Sequence, residues 1–290
     1  MNPTDFDYIT SELKKRSGIV IGQDKLYLLE SRLSPLARKE GLTSMDELVS
    51  VVRTRRDERL MAQIVDAMTT NETFFFRDKT PFDHFNETML PSLLEARAKT
   101  RSLKIWCAAA STGQEPYSLG ICLKEAQSKL TGWRTRILGT DLSNEVLDKA
   151  KAGIYSQFEV QRGLPIQMLL KYFEQQGEMW QINAAMRAMI EWKKFNLLDS
   201  FTHLGEFDII FCRNVLIYFD QETKSEILDR MSKSLPDDGY LVLGAAETVV
   251  GLTGSFAPVP GKRGLFQRKT AAKSTGAATP RAFASIGGRR

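Results

Sequence analysis

From Leu103 onward, apolar segments of strand length alternate with amphipathic segments of helical length. LKIWCAAA (103–110), RTRILGTDL (134–142), FDIIFCRNVLIYF (207–219) and GYLVLGAAE (239–247) each carry the apolar run of a buried strand, and GLFQRK (264–269) reads as an edge strand. Between them lie an amphipathic stretch reaching about Leu130, a helical segment from Asn144 to Ala152, and a helix over 222–235 led by Asp220 and Gln221. This alternation predicts a parallel, doubly wound α/β sheet. In such a sheet, ligands bind beyond the carboxyl ends of the strands.

Residues 154–195 interrupt the pattern. They hold GLP, a Lys-Tyr-Phe stretch and MWQINAAMRAMIEWKKF, with a polar break at 175–178 around Gly177. This predicts a small antiparallel insert on the main sheet with a hairpin turn at the break. The first 75 residues read as a compact bundle of short helices. Leu26, Leu29, Leu33 and Leu36 recur at helical spacing, as do Leu48, Val51 and Val52, and then Leu60, Ile64 and Met68. Thr43 or Ser44 before Glu47 is an N-cap signature, and Gly18, Gly22 and Gly41 mark breaks. The expected organisation is a helical domain over 1–76, a linker helix over 77–98, and an α/β domain over 99–269 with its insert at about 154–194. A disordered basic tail is expected over 270–290.

Hydrophobic residues make up 42% and charged residues 26% of the 290, which excludes a wholly disordered or collagen-like chain. The net charge of +5 suggests nucleic acid, but six basic and no acidic residues fall between Arg268 and Arg290, so the other 267 residues carry a net −1. A nucleic-acid binder would carry its charge on the fold. No apolar run approaches the ~20 residues of a membrane span, and the N-terminus lacks a secretory pattern, so the expected compartment is the cytoplasm. Three scattered cysteines without a CxxC pair argue against a disulfide framework or zinc knuckle.

Four places can carry chemistry. The turn Ala109-Ala110-Ser111-Thr112-Gly113-Gln114-Glu115 follows the first strand, and its small residues let backbone approach a ligand. It is neither GxGxxG nor a P-loop. Asp141 ends the second strand, where an acid can accept from both ribose hydroxyls or, alternatively, cap the next helix in competition with Ser143. In TTNETFFFRD (69–78), three consecutive Phe are either a buried plug or a pocket wall, and Arg77 can hold a carboxylate. Arg213 and Asn214 fall where the third long strand should meet the ligand crevice, with Tyr218 beyond. His84 and His203 have no neighbours at metal-ligand spacing, so each is expected to be a surface or a satisfied structural histidine, and GxSxG and HExxH are absent. Arg53, Arg55, Arg56 and Arg59, on one helix over 49–59, are either a docking face for an acidic partner or a solvated face.

TTNETFFFRD (69–78), WCAAASTGQEPYSLG (106–120), GTDLS (139–143), FNLLD (195–199) and FCRNVLIYFD (211–220) closely resemble the CheR-type chemotaxis receptor methyltransferases, over about residues 5–268. The resemblance implies a Rossmann-like class I S-adenosylmethionine-dependent methyltransferase with an N-terminal all-helical domain and a small inserted antiparallel β subdomain. It implies transfer of a methyl group to glutamate side chains on bacterial chemoreceptors, with S-adenosylhomocysteine as product. It also implies that Asn71, Thr73 and Arg77 line the cofactor region, that Glu115 binds the methionine end and Asp141 the ribose, and that Asn196 and Leu197 flank the adenine. Arg213 and Asn214 stand at the next cofactor-contacting position, and Arg77 and Tyr218 look like the pair that positions the substrate glutamate. The implied partner is the cytoplasmic helical bundle of methyl-accepting chemotaxis proteins, docked by Arg53, Arg55, Arg56 and Arg59. Nucleic acid and direct membrane insertion are not expected, and the chain is expected to be a monomer.

The chemistry suits these residues. A glutamate with a reference pKa of about 4.3 is already anionic at neutral pH, so no general base is needed. Alignment with the methyl and removal of water are what remain. Arg77 is expected to orient the carboxylate, in a low-dielectric pocket built from Phe74, Phe75 and Phe76. Some relatives bind a receptor pentapeptide tether through a longer, glycine-rich turn of the insert. The shorter turn here, Gln175-Gln176-Gly177-Glu178, predicts independence of that tether. Two other readings fit less well. Amino-methylating DNA enzymes carry [DNS]-P-P-[YFW] where this chain has Arg213-Asn214-Val215-Leu216, and a non-catalytic cofactor-binding scaffold would be expected to lack Arg77 or Tyr218.

Overall fold

A computed structural model describes residues 2–269. Four helices come first: α1 (Pro3–Ser17), α2 (Leu26–Lys39), α3 (Met45–Arg55) and α4 (Glu58–Met68). Each start has a local cause. Asn2 caps α1 by accepting from the Asp5 N–H, with Pro3 in the first turn, and Asp57 caps α4 through the Leu60 N–H. Ser44 caps α3 through the Glu47 N–H, while the Glu47 carboxylate reaches back to the N–H and hydroxyl of Thr43, both at 2.7 Å. The apolar stripes of these helices close a core around Ile9, Leu13, Leu29, Leu33, Leu48 and Ile64.

The linker is α5 (Thr80–His84), running through a wide turn into α6 (Leu90–Ala96). Then follow β1 (Ser102–Ala108), α7 (Gln114–Glu125), β2 (Arg134–Asp141) and α8 (Asn144–Ala152). The insert region holds β3 (Ile154–Ser156), α9 (Gln157–Gln161), α10 (Ile166–Tyr172), β4 (Phe173–Gln176), β5 (Met179–Ile182) and α11 (Ala184–Arg187). The chain closes with β6 (Ile190–Lys194), β7 (Ile209–Cys212), α12 (Gln221–Lys233), β8 (Tyr240–Leu243), β9 (Phe256–Pro258) and β10 (Leu265–Arg268).

The main sheet has the order β6-β2-β1-β7-β8-β10-β9. Its first five strands are parallel, and β10 runs antiparallel between β8 and β9. The order reverses between β1 and β7, so the switch point opens a crevice beyond Ala108 and Cys212. Alternation along β1 sends Ile105 and Cys107 into the core on one face, and Trp106 and Ala108 into the core on the other. A separate three-stranded antiparallel sheet, β3-β5-β4, turns tightly at Gly177 and Glu178 between β4 and β5.

Four expectations need correction. Residues 190–194 belong to the main sheet as β6, paired parallel with β2. They read as insert because an edge strand with one solvated face, IEWKK, lacks the continuous apolar run of its neighbours. The third long strand ends at Cys212 instead of continuing to Phe219. Asn214 turns left-handed at φ 58°, and Leu216 and Phe219 are buried from a loop and a single 3₁₀ turn. The arginine cluster is split. Arg56 ends α3 in a left-handed conformation and Arg59 lies on α4. His84, expected at the surface or with its hydrogen bonds satisfied, is buried with no partner on Nε2. Among the described residues no group of His, Cys, Asp and Glu could hold a metal ion, and no helix is long and apolar enough to cross a membrane. The expected tail lies outside the described residues.

Candidate active site

A cleft of about 900 Å³, counting its open mouth, sits at the switch point. Asn71, Thr73, Arg77, Glu115, Asp141, Asn196, Leu197, Arg213, Asn214 and Tyr218, ten residues from five separate stretches of sequence, all line it.

The floor is the turn after β1. Ala109, Ser111 and Gly113 are all left-handed, with φ of 62°, 50° and 97°. The Ser111 N–H thereby points at Asp141 Oδ2 (2.8 Å), and the Ser143 N–H donates to Asp141 Oδ1 (3.1 Å). Asp141 is therefore buried with its carboxylate oriented by backbone. Burial pushes its pKa up, against the opposing pull of the Ser143, Ser111 and Leu142 N–H groups. Of the two readings of Asp141, it lines the cleft, whereas the cap position of α8 belongs to Ser143, whose own N–H donates to Asp141.

Across the floor lies a buried pair. Arg213 Nη1 donates to Glu115 Oε2 at 2.7 Å, and Nη2 donates to Asp78 Oδ2 (2.6 Å) and the Arg77 carbonyl (2.9 Å). Burial raises the Glu115 pKa, opposed by the Arg213 charge beside it. Arg213 Nε is buried without a partner.

The wall comes from the interdomain loop and from α1. Ser111 Oγ donates to the Asn71 carbonyl (2.9 Å), which pins the loop to the floor. Arg77 is half-buried, and its Nη1 donates to the Glu72 carbonyl at 2.6 Å. Arg32 clamps the end of α4 through the Met68 and Thr69 carbonyls (both 2.8 Å) and Thr70 Oγ1. Ser17, the last residue of α1, and Ile19, just past it, also line the cleft. They approach because Gly18, at φ 78°, lacks a Cβ that would stand 2.8 Å from the Phe219 ring. The Val20 N–H donates to the Tyr218 carbonyl (3.0 Å), Asn196 Nδ2 donates to the Arg16 carbonyl (2.6 Å), and Lys14 pairs with Asp220 at 2.7 Å.

The three phenylalanines do not line the cleft. Phe75 is fully buried edge-on to Tyr155 and Phe173, Phe76 packs on Phe82, and Phe74 lies under Arg162 at 4.3 Å. They fasten the interdomain loop to the insert and the sheet. The apolar part of the lining comes instead from Ile19, Leu142, Phe195, Leu197, Val215 and Phe219. The sequence reading also missed Ser17, Ile19, Thr69 and Thr70. Gly18 was visible as a break, but a break does not reveal what packs against it.

A cleft with small residues over one end, a backbone-oriented acid at the second strand and an unpartnered guanidinium nitrogen in its floor fits a nucleoside joined to an amino acid. Residues 4–69 match the family model "CheR methyltransferase, all-alpha domain", and residues 71–265 match "CheR methyltransferase, SAM binding domain". The chain belongs to the CheR methyltransferase family. Its α/β domain is a class I methyltransferase fold that takes S-adenosylmethionine. It is 42% identical over 268 residues to "Chemotaxis protein methyltransferase 1" of Pseudomonas aeruginosa, covering 91% of this chain and 97% of that protein. It is 44% identical over 259 residues to "Chemotaxis protein methyltransferase" of Vibrio anguillarum, covering 88% and 93%. It is 40% identical over 265 residues to "Chemotaxis protein methyltransferase Cher2" of Pseudomonas putida, covering 90% and 96%.

Of the four basic residues expected to dock a partner, Arg53 pairs with buried Asp5 (2.7 Å) and Arg59 with Glu40 (2.7 Å). Arg55 and Arg56 are exposed, with no acidic partner among the described residues.

Proposed function

We propose that this chain is a chemotaxis methyltransferase of the cytoplasm that transfers a methyl group from S-adenosylmethionine to glutamate side chains on the helical bundle of chemoreceptors, giving γ-glutamyl methyl esters. The observation that carries the reading is the makeup of the cleft. Among the residues lining it there is no His, Cys or Lys, and its acids are committed. Glu115 pairs with Arg213, Asp141 accepts backbone N–H groups, and Glu72 pairs with Arg162 at 2.7 Å. A site without a spare base suits a nucleophile that arrives ionised, as a glutamate does at neutral pH.

Bound in the cleft, S-adenosylmethionine would supply an activated methyl on a sulfonium. Asp141 would take the ribose hydroxyls, Glu115 the amino acid end, and Asn196 and Leu197 the adenine, with Asn71, Thr73, Arg213 and Asn214 completing the walls. Arg77 is held by the Glu72 carbonyl and lies 5.7 Å from the Phe74 ring, which leaves the remaining guanidinium N–H groups for a substrate carboxylate. Tyr218, fixed through its carbonyl by Val20, would aim that carboxylate. Position and water exclusion are then the catalytic means.

Docking would fall to Arg55 and Arg56, the two members of the cluster without an acidic partner among the described residues. The two-residue turn at Gly177 and Glu178 supports independence of a receptor tether peptide, and micromolar binding of such a peptide would contradict it. Mass spectrometry of receptor peptides after incubation with protein and cofactor tests the substrate. The reading expects the added methyl on glutamate, and a methyl found only on lysine or on nucleic acid would overturn it.

A further inference from the structure

Glu247 ends the stretch GYLVLGAAE (239–247), where the sequence gives it no role, and it does not line the cleft. Its half-buried carboxylate accepts four backbone N–H bonds. Oε2 takes Gly244 (2.7 Å) and Asn214 (2.8 Å), and Oε1 takes Val215 (3.0 Å) and Leu216 (2.8 Å). The donors come from two loops, one after β7 and one after β8, which are neighbouring parallel strands. The fit is close: a Cβ on Gly244 would stand 2.7 Å from Glu247 Oε2 and 3.0 Å from the Asn214 N.

The geometry points to Glu247 as a positioning residue for the cofactor site. The loop it holds puts Asn214, left-handed at φ 58°, and then Val215 and Tyr218 into the cleft. Three consecutive N–H groups turned toward one point need an acceptor with several lone pairs, which an ionised carboxylate offers. Glutamine cannot replace it. Its single oxygen serves one pair of donors and its NH₂ faces the other pair. With those bonds lost, a left-handed asparagine has less to hold it there.

The test uses the full chain and two variants, Glu247→Gln and Glu247→Asp, with no receptor present. Calorimetry reads the affinity for S-adenosylhomocysteine, and hydrogen exchange of the free protein reads the Asn214, Val215, Leu216 and Gly244 amides. Glu247→Gln is expected to weaken binding at least tenfold and to speed exchange at those amides at least tenfold, leaving the helical domain protected as in the parent. Glu247→Asp, which keeps the charge on a shorter arm, is expected to lie between. Unchanged affinity in Glu247→Gln would overturn the inference. So would binding lost only in proportion to a folded fraction, with exchange faster throughout the sheet. If Glu247→Gln does not fold, Glu247→Asp decides: weaker binding with loss of protection confined to this loop supports the role, and parent affinity contradicts it. The inference rests on the cofactor site alone, so a parent protein that binds the cofactor but leaves receptors unmethylated would count against the proposed substrate only.

Discussion

Arg213 and Glu115 meet at 2.7 Å beneath the cleft, one guanidinium joining the end of β7 to the first turn of α7. Removing one partner of a buried pair strands the other's charge, at a cost of about 3–5 kcal/mol. Asp78 holds the far side of Arg213, so Glu115→Ala is expected at the lower end of that range, with Glu115→Gln costing less. Urea unfolding measures it. A change below about 0.5 kcal/mol would mean that the pair contributes little to stability.

Arg77→Ala is expected to lower methyl transfer at least tenfold, about 1.4 kcal/mol of transition-state stabilisation, with a smaller effect on S-adenosylhomocysteine affinity. Asp141→Ala should do the reverse, weakening the cofactor first. Steady-state kinetics with calorimetry separates them, and wild-type turnover in Arg77→Ala removes that residue from the mechanism.

Cofactor affinity should fall in acid. Burial raises both Asp141 and Glu115, and ribose hydroxyls and an ammonium both favour ionised carboxylates. Binding therefore pulls these pKa values down and releases protons. Affinity is full above the raised values and drops as pH falls through them. Calorimetry at pH values stepped down from neutral, each in two buffers of different ionisation enthalpy, should show proton release, and proton uptake would reverse the assignment.

Arg55→Glu combined with Arg56→Glu is expected to raise KM for receptor-bearing membranes several-fold and leave S-adenosylhomocysteine binding unchanged. Arg53→Glu is expected to behave differently, because it puts a second acid beside buried Asp5 and lowers stability. Equal effects on KM without loss of stability would make Arg53 part of the docking face as well.

Phe75→Ala removes a ring with no exposed surface between Tyr155 and Phe173, so a loss of about 3–5 kcal/mol is expected. Thermal unfolding reads it. A loss under 1 kcal/mol would mean that the insert packs on the sheet without this plug.

The parts of the fold legible in sequence are those with a period. The buried strands β1, β2, β7 and β8 and the stripes of α2 and α4 announce themselves through runs and spacings. Edge strand β6 did not, because one solvated face erases the apolar run. The cleft was legible where a side chain sits at a strand end, as Asp141 and Arg213 do, since position along a strand fixes position in an open α/β sheet. Phe74, Phe75 and Phe76 were ambiguous because composition cannot choose between a plug and a wall. The packing of Tyr155 and Phe173 decided it, from about 80 and 98 residues away in sequence. Glu247 was invisible for a related reason. Its partners are backbone N–H groups, which every sequence contains.

The most direct measurement uses methyl-labelled S-adenosylmethionine, the full chain and receptor-bearing membranes, followed by mild alkali. Label released as methanol is the expected result, since carboxyl methyl esters hydrolyse there. Label that stays on the protein through alkali would mean methylation at nitrogen and would contradict the glutamate reading.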